Sequence, residues 1–394
     1  MASSPYRILV LDGNQRSALA VTRSLGSINS LFIAAADSTT KCIAGSSRFC
    51  SLALTCPAPD SEPSAFLEWL ENVIKQHDFH ALFPTTEVTS QLLQMNASRF
   101  EGVIIPYTDY KQIMLLADKG QLHSKALDIG VNVPQAQIYQ SAAEVDVDQY
   151  TSFPIVIKPC LSRLWLDDHW LNTTVQIAYS KEDLQKHLET STWLQSHAFM
   201  LQEFIPGHGA GIFAIYNRGK SVAFFAHRRL REKPPRGGVS VLSESASLNP
   251  AQLEQAQRLL DNAQWHGVAM VEFRVDPQGK PWLMEVNTRF WGSLQLAIDA
   301  GVDFPKLLWQ ISTGETPCEQ APYKIGNRLR WLLGDLDSLY LVLKDKEFSS
   351  LEKIQRIVDF LIPRPFRTRH ELNRWGDLKP ALTEFRQYLK NLGL

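Results

Sequence analysis

The chain has 394 residues, 44% of them hydrophobic, and a net charge of −1, which suffices for sizeable cores and, at roughly 150 residues per domain, for two or three domains. A balance this close to neutral supplies no general field for nucleic acid or an anionic membrane, so basic clusters have to be read locally. The five cysteines show no Cys-x-x-Cys spacing, which argues against a zinc site and a disulfide framework and for a reducing, cytoplasmic setting. The first residues lack the apolar length of a signal peptide, and no run approaches a membrane span.

From residue 8 to residue 106 short apolar runs alternate with helical segments. Residues 8–11 read as a buried parallel strand, 17–25 as a helix ending at Gly26, and 31–34 as a second strand. Phe66, Leu67, Leu70, Val73 and Ile74 form one helical stripe, followed by strands at 80–83 and 103–105. The pattern is that of an N-terminal, open, doubly wound α/β domain over residues 1–112. Its first strand-to-helix turn carries Gly13 alone, without the other glycines of a dinucleotide fingerprint, so NAD is not expected there. Thr85, Thr86 and Glu87 follow another strand end, where they either line a cleft or cap a helix.

From residue 117 strands and helices mix, as in an α+β module. A helix opening there closes in a turn at Gly130, and residues 153–158 form a strand that ends at Lys158. Ser180 caps a helix over 181–188, residues 199–205 form a strand, and Asn249 caps a helix with Pro250 in its first turn. The expected divisions are a subdomain over 113–200, a second over 201–320, and a C-terminal extension over 321–394. After a strand at 221–226, residues 227–240 read as a loop rich in arginine and glycine, which either clamps an anion or stands in solvent. The basic run 363–370 leaves the same two readings open, an anion contact or a solvated turn.

Residues 267–292 read as two strands around a tight turn. If Asp276 faces Pro281, then Val275 faces Trp282, Phe273 faces Met284 and Val271 faces Val286, giving one apolar face. The same register sets Glu272 opposite Glu285, with Cβ atoms about 5 Å apart, where like charges repel unless a cation offsets them. Asn287 and Arg289 fall on the Glu285 side. Two carboxylates and an amide oxygen suit magnesium, and Arg289 suits an anion beside it. A hairpin with a solvated polar face satisfies the same letters.

Taken in order, Lys119, Lys158, the turn Gln202-Glu-Phe-Ile-Pro-Gly207, the two facing glutamates and Glu-x-Asn-x-Arg-Phe-Trp-Gly at 285–292 resemble the ATP-grasp superfamily over residues 118–314. The resemblance implies an ATP-grasp module of two α+β subdomains behind the α/β domain. It implies that Lys119 and Lys158 hold ATP phosphates, and that Glu203, Phe204 and Ile205 form the adenine connector. Glu272, Glu285 and Asn287 look like ligands of magnesium, two ions with manganese as an alternative, and Arg289 like the residue that steadies an acyl phosphate. Placed between connector and hairpin, Arg228 and Arg231 are expected to join the catalytic set.

The implied activity is that of an ATP-dependent carboxylate–amine ligase acting on small molecules, with neither nucleic acid nor membrane as partner, and with a homodimer as the family's common assembly. A non-catalytic ATP-binding regulator and an ATP-grasp enzyme with a non-amine acceptor are the other readings. Three departures stand out. Residues 160–171 contain no glycine where many members have a glycine-rich phosphate loop, Ala210 and Gly211 stand where a ribose-binding acid is common, and Thr288 replaces a common proline. Arg163 or the neighbouring tryptophans then cover phosphate or meet the substrate instead.

Overall fold

In the computed structural model, residues 5–166, 169–235, 237–317, 321–362 and 368–393 are described. The first alternating region forms β1 (Tyr6–Val10), α1 (Arg16–Gly26), β2 (Leu31–Asp37), β3 (Leu52–Thr55), α2 (Pro63–His77), β4 (Ala81–Phe83) and α3 (Glu87–Met95). The four strands lie in the order β3-β2-β1-β4, all parallel. Ile8, Leu9 and Val10 in the central strand are all fully buried, as a parallel strand covered on both faces requires. The strand expected at 103–105 reduces to a single bridge between Ile104 and Ala81.

A helix that was not expected, α4 (Tyr110–Ala117), is followed after Asp118 by α5 (Lys119–Asp128), which is the helix expected from residue 117. The Asp118 carboxylate accepts from the backbone N–H groups of Gly120 and Gln121, so it caps α5 and fixes Lys119 as its first residue. Next come β5 (Ala136–Tyr139), β6 (Ile155–Pro159), β7 (Arg163–Leu166), β8 (His169–Asn172), β9 (Gln176–Ala178), α6 (Lys181–Thr190) and β10 (Phe199–Glu203). One sheet has the order β5-β10-β6-β9, and β7 and β8 form a separate hairpin. The described part of the glycine-free stretch therefore pairs as two antiparallel strands, Arg163 with Asn172 through Leu166 with His169. Trp165 and Trp170 meet with ring centroids 5.1 Å apart and pack into the cluster of Leu9, Phe66 and Leu67, which docks the hairpin on the N-terminal sheet's own core.

The remaining chain forms β11 (His208–Asn217), β12 (Lys220–Lys233), β13 (Val239–Ala246), α7 (Pro250–Asn262), β14 (Gly267–Val275), β15 (Pro281–Asn287), α8 (Leu294–Ala300) and α9 (Phe304–Ser312). Beyond these lie β16 (Arg328–Arg330), α10 (Leu332–Lys344), α11 (Ser350–Leu361), β17 (Thr368–His370) and α12 (Lys379–Asn391). Seven strands make one sheet in the order β15-β14-β11-β12-β13-β16-β17. The segment expected as an extension thus supplies the last two strands of the central sheet. The basic run 363–370 lies outside the described residues at 363–367.

Two local expectations change. The hairpin tip pairs Val275 with Pro281, Arg274 with Trp282 and Phe273 with Leu283, one residue away from the expected register, and a β-bulge then restores Glu272 opposite Glu285 and Val271 opposite Val286. The basic segment after Ala226 is not a loop: β12 continues through Lys233 and pairs with β13.

Candidate functional site

Direct pairing sets Glu272 beside Glu285 on β15 and beside Gly211 on β11, all on one face of the large sheet. Extending the β11–β12 register brings His227 and then Arg229 onto that face. Arg229 donates from Nη2 to Glu272 Oε2 at 2.6 Å. Asn287 Nδ2 donates to Glu272 Oε1 at 3.0 Å and to Glu285 Oε1 at 3.4 Å, while its Oδ1 accepts from Arg289 at 3.1 Å. The two carboxylates, the amide and two arginines therefore form one connected network.

Both expected lysines reach it. Lys119 Nζ lies 3.6 Å from Glu285 Oε2 and donates to Ser162 Oγ at 2.8 Å, and Lys158 Nζ donates to the Met284 carbonyl at 2.6 Å. Each lysine is only 5% exposed, which excludes a snorkelling surface role. Burial draws Lys158 down to about 8, against the pull of Glu285, while Lys119 adds to the fall. Burial pushes Glu285 upward, but Lys119, Lys158 and Arg289 outweigh it and hold the carboxyl below its ordinary value. Glu272 goes the other way: burial raises it, Arg229 pulls it back, and Glu285 adds to the rise. Lys119, Lys158, Arg229 and Arg289 thus converge on the two carboxylates from four elements, with Glu232 also meeting Arg229 at 3.4 Å.

Among the described residues no group of three or more His, Cys, Asp or Glu could hold a metal. The opposed carboxylates nevertheless fit magnesium, because that ion takes one or two carboxylates and completes its shell with water and substrate phosphates; Asn287 would join them with its amide oxygen turned from Arg289 toward the pair. The fit is to a cation shared with a nucleotide rather than to a closed protein cage.

At the connector, the Glu203 N–H donates to the Gln135 carbonyl at 2.8 Å, and the Ile205 carbonyl accepts from Arg274 at 2.7 Å. Two backbone groups of the expected connector, the Glu203 N–H and the Ile205 carbonyl, are therefore already partnered. Arg274 also stands 5.6 Å over the Phe204 ring. Gly207 turns the chain at φ +123°, and a Cβ there would lie 1.9 Å from the Val275 carbonyl, so only glycine fits this turn.

Arg228 and Arg231 are not brought to the glutamates. Arg228 pairs with Glu244, and Arg231 lies 2.7 Å from fully buried Asp335. Strand alternation sends Arg228 to the opposite face, and the bulge at Leu230 keeps Arg231 there too. Arg229, between them, takes the place expected of its neighbours. His227 is no ready proton donor, since burial and then Arg229 draw it down to about 3. Asp12 accepts from the N–H groups of Thr85 and Thr86 and from the Thr89 hydroxyl, so the threonines brace the strand end. Glu87 instead lines a small pocket with Lys119, Ser162, Glu285 and Arg289. Sequence reading missed Arg229 and Ser162; the two-residue step from His227 was the available signal for Arg229.

Residues 195–333 match the family described as ATP-grasp in the biosynthetic pathway with Ter operon. No curated protein matches the chain in sequence. Among solved structures, a biotin carboxylase from Campylobacter jejuni in complex with β-γ-ATP is similar at TM-score 0.64 and 13% identity, covering 83% of this chain and 75% of that one. An L-amino acid ligase from Bacillus licheniformis gives 0.63 and 15%, covering 83% and 79%. The biotin carboxylase domain of a Hydrogenobacter thermophilus 2-oxoglutarate carboxylase, a dimer in complex with MgADP, ADP and bicarbonate, gives 0.63 and 14%, covering 82% and 73%. Among the described residues no helix is long and apolar enough to cross a membrane.

Proposed function

From the premise that the chain has the ATP-grasp fold and carries an ATP-grasp domain, we propose that it is an ATP-dependent ligase that activates a small carboxylate as an acyl phosphate and joins it to an amine. The observation that carries this reading is the single-face network of Glu272, Glu285, Asn287 and Arg289, with Lys119 and Lys158 closing on it from other elements.

In this reading a carboxylate oxygen of the substrate attacks the γ-phosphorus of ATP, the bond to the β,γ-bridging oxygen breaks, and ADP departs. The amine then attacks the acyl carbon, phosphate leaves, and the nitrogen loses a proton to give the amide. Lys119 and Lys158 hold phosphate oxygens against their mutual repulsion, and their burial strengthens each contact. Glu272, Glu285 and Asn287 hold magnesium, which when bound supplies charge neutralisation to the phosphates. Arg289, tethered through Asn287 and the Phe290 carbonyl, presents its remaining donors to the activated carboxylate. Arg229 balances Glu272 in the free protein.

A phosphate-release screen tests this, with ATP, magnesium and a matrix of carboxylates against amines. Release that requires one member of each class supports the ligase. Release with a carboxylate and a non-amine acceptor points to another fate for the acyl phosphate, and tight ATP binding without release from any pair overturns catalysis in favour of a regulatory ATP-binding protein.

A further inference from the structure

The reverse face of the large sheet holds a second concentration of charge. Pairing of β13 with β12 and β16 puts Arg231, Leu242, Glu244, Arg328 and Arg330 on the face opposite Glu272 and Arg229. A cavity of about 820 Å³ opens there, bounded by these strands, by His370 and Trp375, and by Leu361 at the end of α11. It shares no lining residue with the small pocket at Glu285 and Arg289.

Behind its wall, three carboxylates are each claimed by more than one arginine. Glu244 takes Arg228 and Arg328, and Asp299 takes Arg369 and Arg374. Asp335 takes Arg231, Arg330 and Arg356. Seven arginines thus answer to three carboxylates; Arg231, Arg328, Arg330, Arg369 and Arg374 among them line the cavity, and Asp359 is the one acid that lines it among the described residues. Seven guanidinium groups against these three carboxylates and Asp359 leave a surplus of positive charge on this face. His370 registers that charge, being held below its ordinary value by burial and then by Arg330 and Arg374.

The donors are only partly used. Arg328 meets Glu244 through Nε, and the Arg369 side chain is 67% exposed with its carboxylate 3.6 Å away, so both keep guanidinium N–H groups for another acceptor. Leu230, Leu361, Ile362 and Trp375 line the same space, giving an apolar wall beside the cations. The volume falls in the roughly 300–1,000 Å³ range of small-molecule sites.

We propose that this reverse-face cavity binds a small organic anion bearing at least two phosphate or carboxylate groups, at a site separate from the ATP cluster. The test is calorimetric titration of the full chain with inorganic pyrophosphate and with citrate, at saturating MgADP and with magnesium in excess of all ligands. One anion bound per chain is expected, with affinity falling about tenfold in Arg328→Gln and in Arg369→Gln while MgADP affinity stays unchanged. Binding of only one anion supports the site and tells phosphate from carboxylate chemistry. Arg328→Gln loosens a strand contact, whereas Arg369 is exposed enough that its variant folds as the parent does. Absence of binding by both anions, or undiminished affinity in Arg369→Gln and Arg328→Gln alike, overturns the proposal. MgADP binding, read separately, reports on the ATP cluster, so the two readings fail independently.

Discussion

Raising the pH through 8 should weaken nucleotide binding by discharging Lys158. Its amine is 5% exposed, bonded to the Met284 carbonyl at 2.6 Å, and drawn by burial from 10.5 to about 8. Bound phosphates place negative charge beside the ammonium and hold its proton to higher pH than in the free protein. Below about 8 both forms are charged and affinity is flat; above it the free protein must take up a proton to bind. Affinity then falls by up to about tenfold per pH unit, or about thirtyfold between pH 7 and pH 9.5. Unfolding by this group cannot mimic the effect. Between about 8 and 10.5 the unfolded chain binds a proton the native lysine lacks, so this lysine makes stability rise with pH across that window. Titration with MgADP at several pH values, in buffers of differing ionisation heat, counts the proton directly. Lys158→Arg keeps its charge throughout and should flatten the profile. A wild-type affinity that stays flat to pH 9.5 without proton uptake would refute the reasoning.

Glu285→Gln should abolish ADP formation with every substrate pair and, by removing the carboxylate that supports the Lys158 charge, move the onset of weakened ADP binding below pH 8; full turnover in this variant removes the cation assignment. Trp170→Ala takes out the buried ring that anchors the hairpin β7–β8, at a local cost of about 3–5 kcal/mol, so hydrogen exchange should quicken across that hairpin while the central sheet stays protected; unchanged exchange there contradicts the docking role. Asp335→Asn leaves Arg231, Arg330 and Arg356 around a neutral amide with the carboxylate gone, and thermal or urea unfolding should show a loss of about 3–5 kcal/mol. A loss under about 1 kcal/mol would mean that the three ion pairs do not act as a unit.

What could be read from the sequence was what local chemistry decides. Asn249 with Pro250, and Ser180 with Asp183, mark their helix starts because a cap needs only a side-chain oxygen and an N–H within one turn. The opposition of Glu272 and Glu285 was reached from a turn register one residue away from the observed one, and it holds because the bulge in β15 offsets that residue. The strands β3, β16 and β17 were not legible. Each is three or four residues long, and each is defined by partners 18 or more positions away, as with Ala34 and Leu52 or Leu242 and Arg330. Among the site residues, Lys119 and Lys158 were identified through the family resemblance, whereas Arg229 was lost to its neighbours because a strand was taken for a loop. Once residues 227–233 are a strand, alternation from His227 selects Arg229.

The misjudged hairpin tip and the correctly judged glutamate pair have one physical cause. Strict continuation of the observed Val275–Pro281 pairing would set Glu272 against Met284 and turn Glu285 to the opposite face. The bulge adds one residue to β15 between the tip and the glutamates, and that residue swings Glu285 and Asn287 back onto the face that holds Glu272 and Arg229. Its second consequence lies in the backbone: the Met284 carbonyl at the bulge is the acceptor that seats Lys158. The irregularity that no letter announces therefore sets both the facing carboxylates and the buried ammonium. The same residues closed into a regular hairpin would keep every motif and lose the cluster.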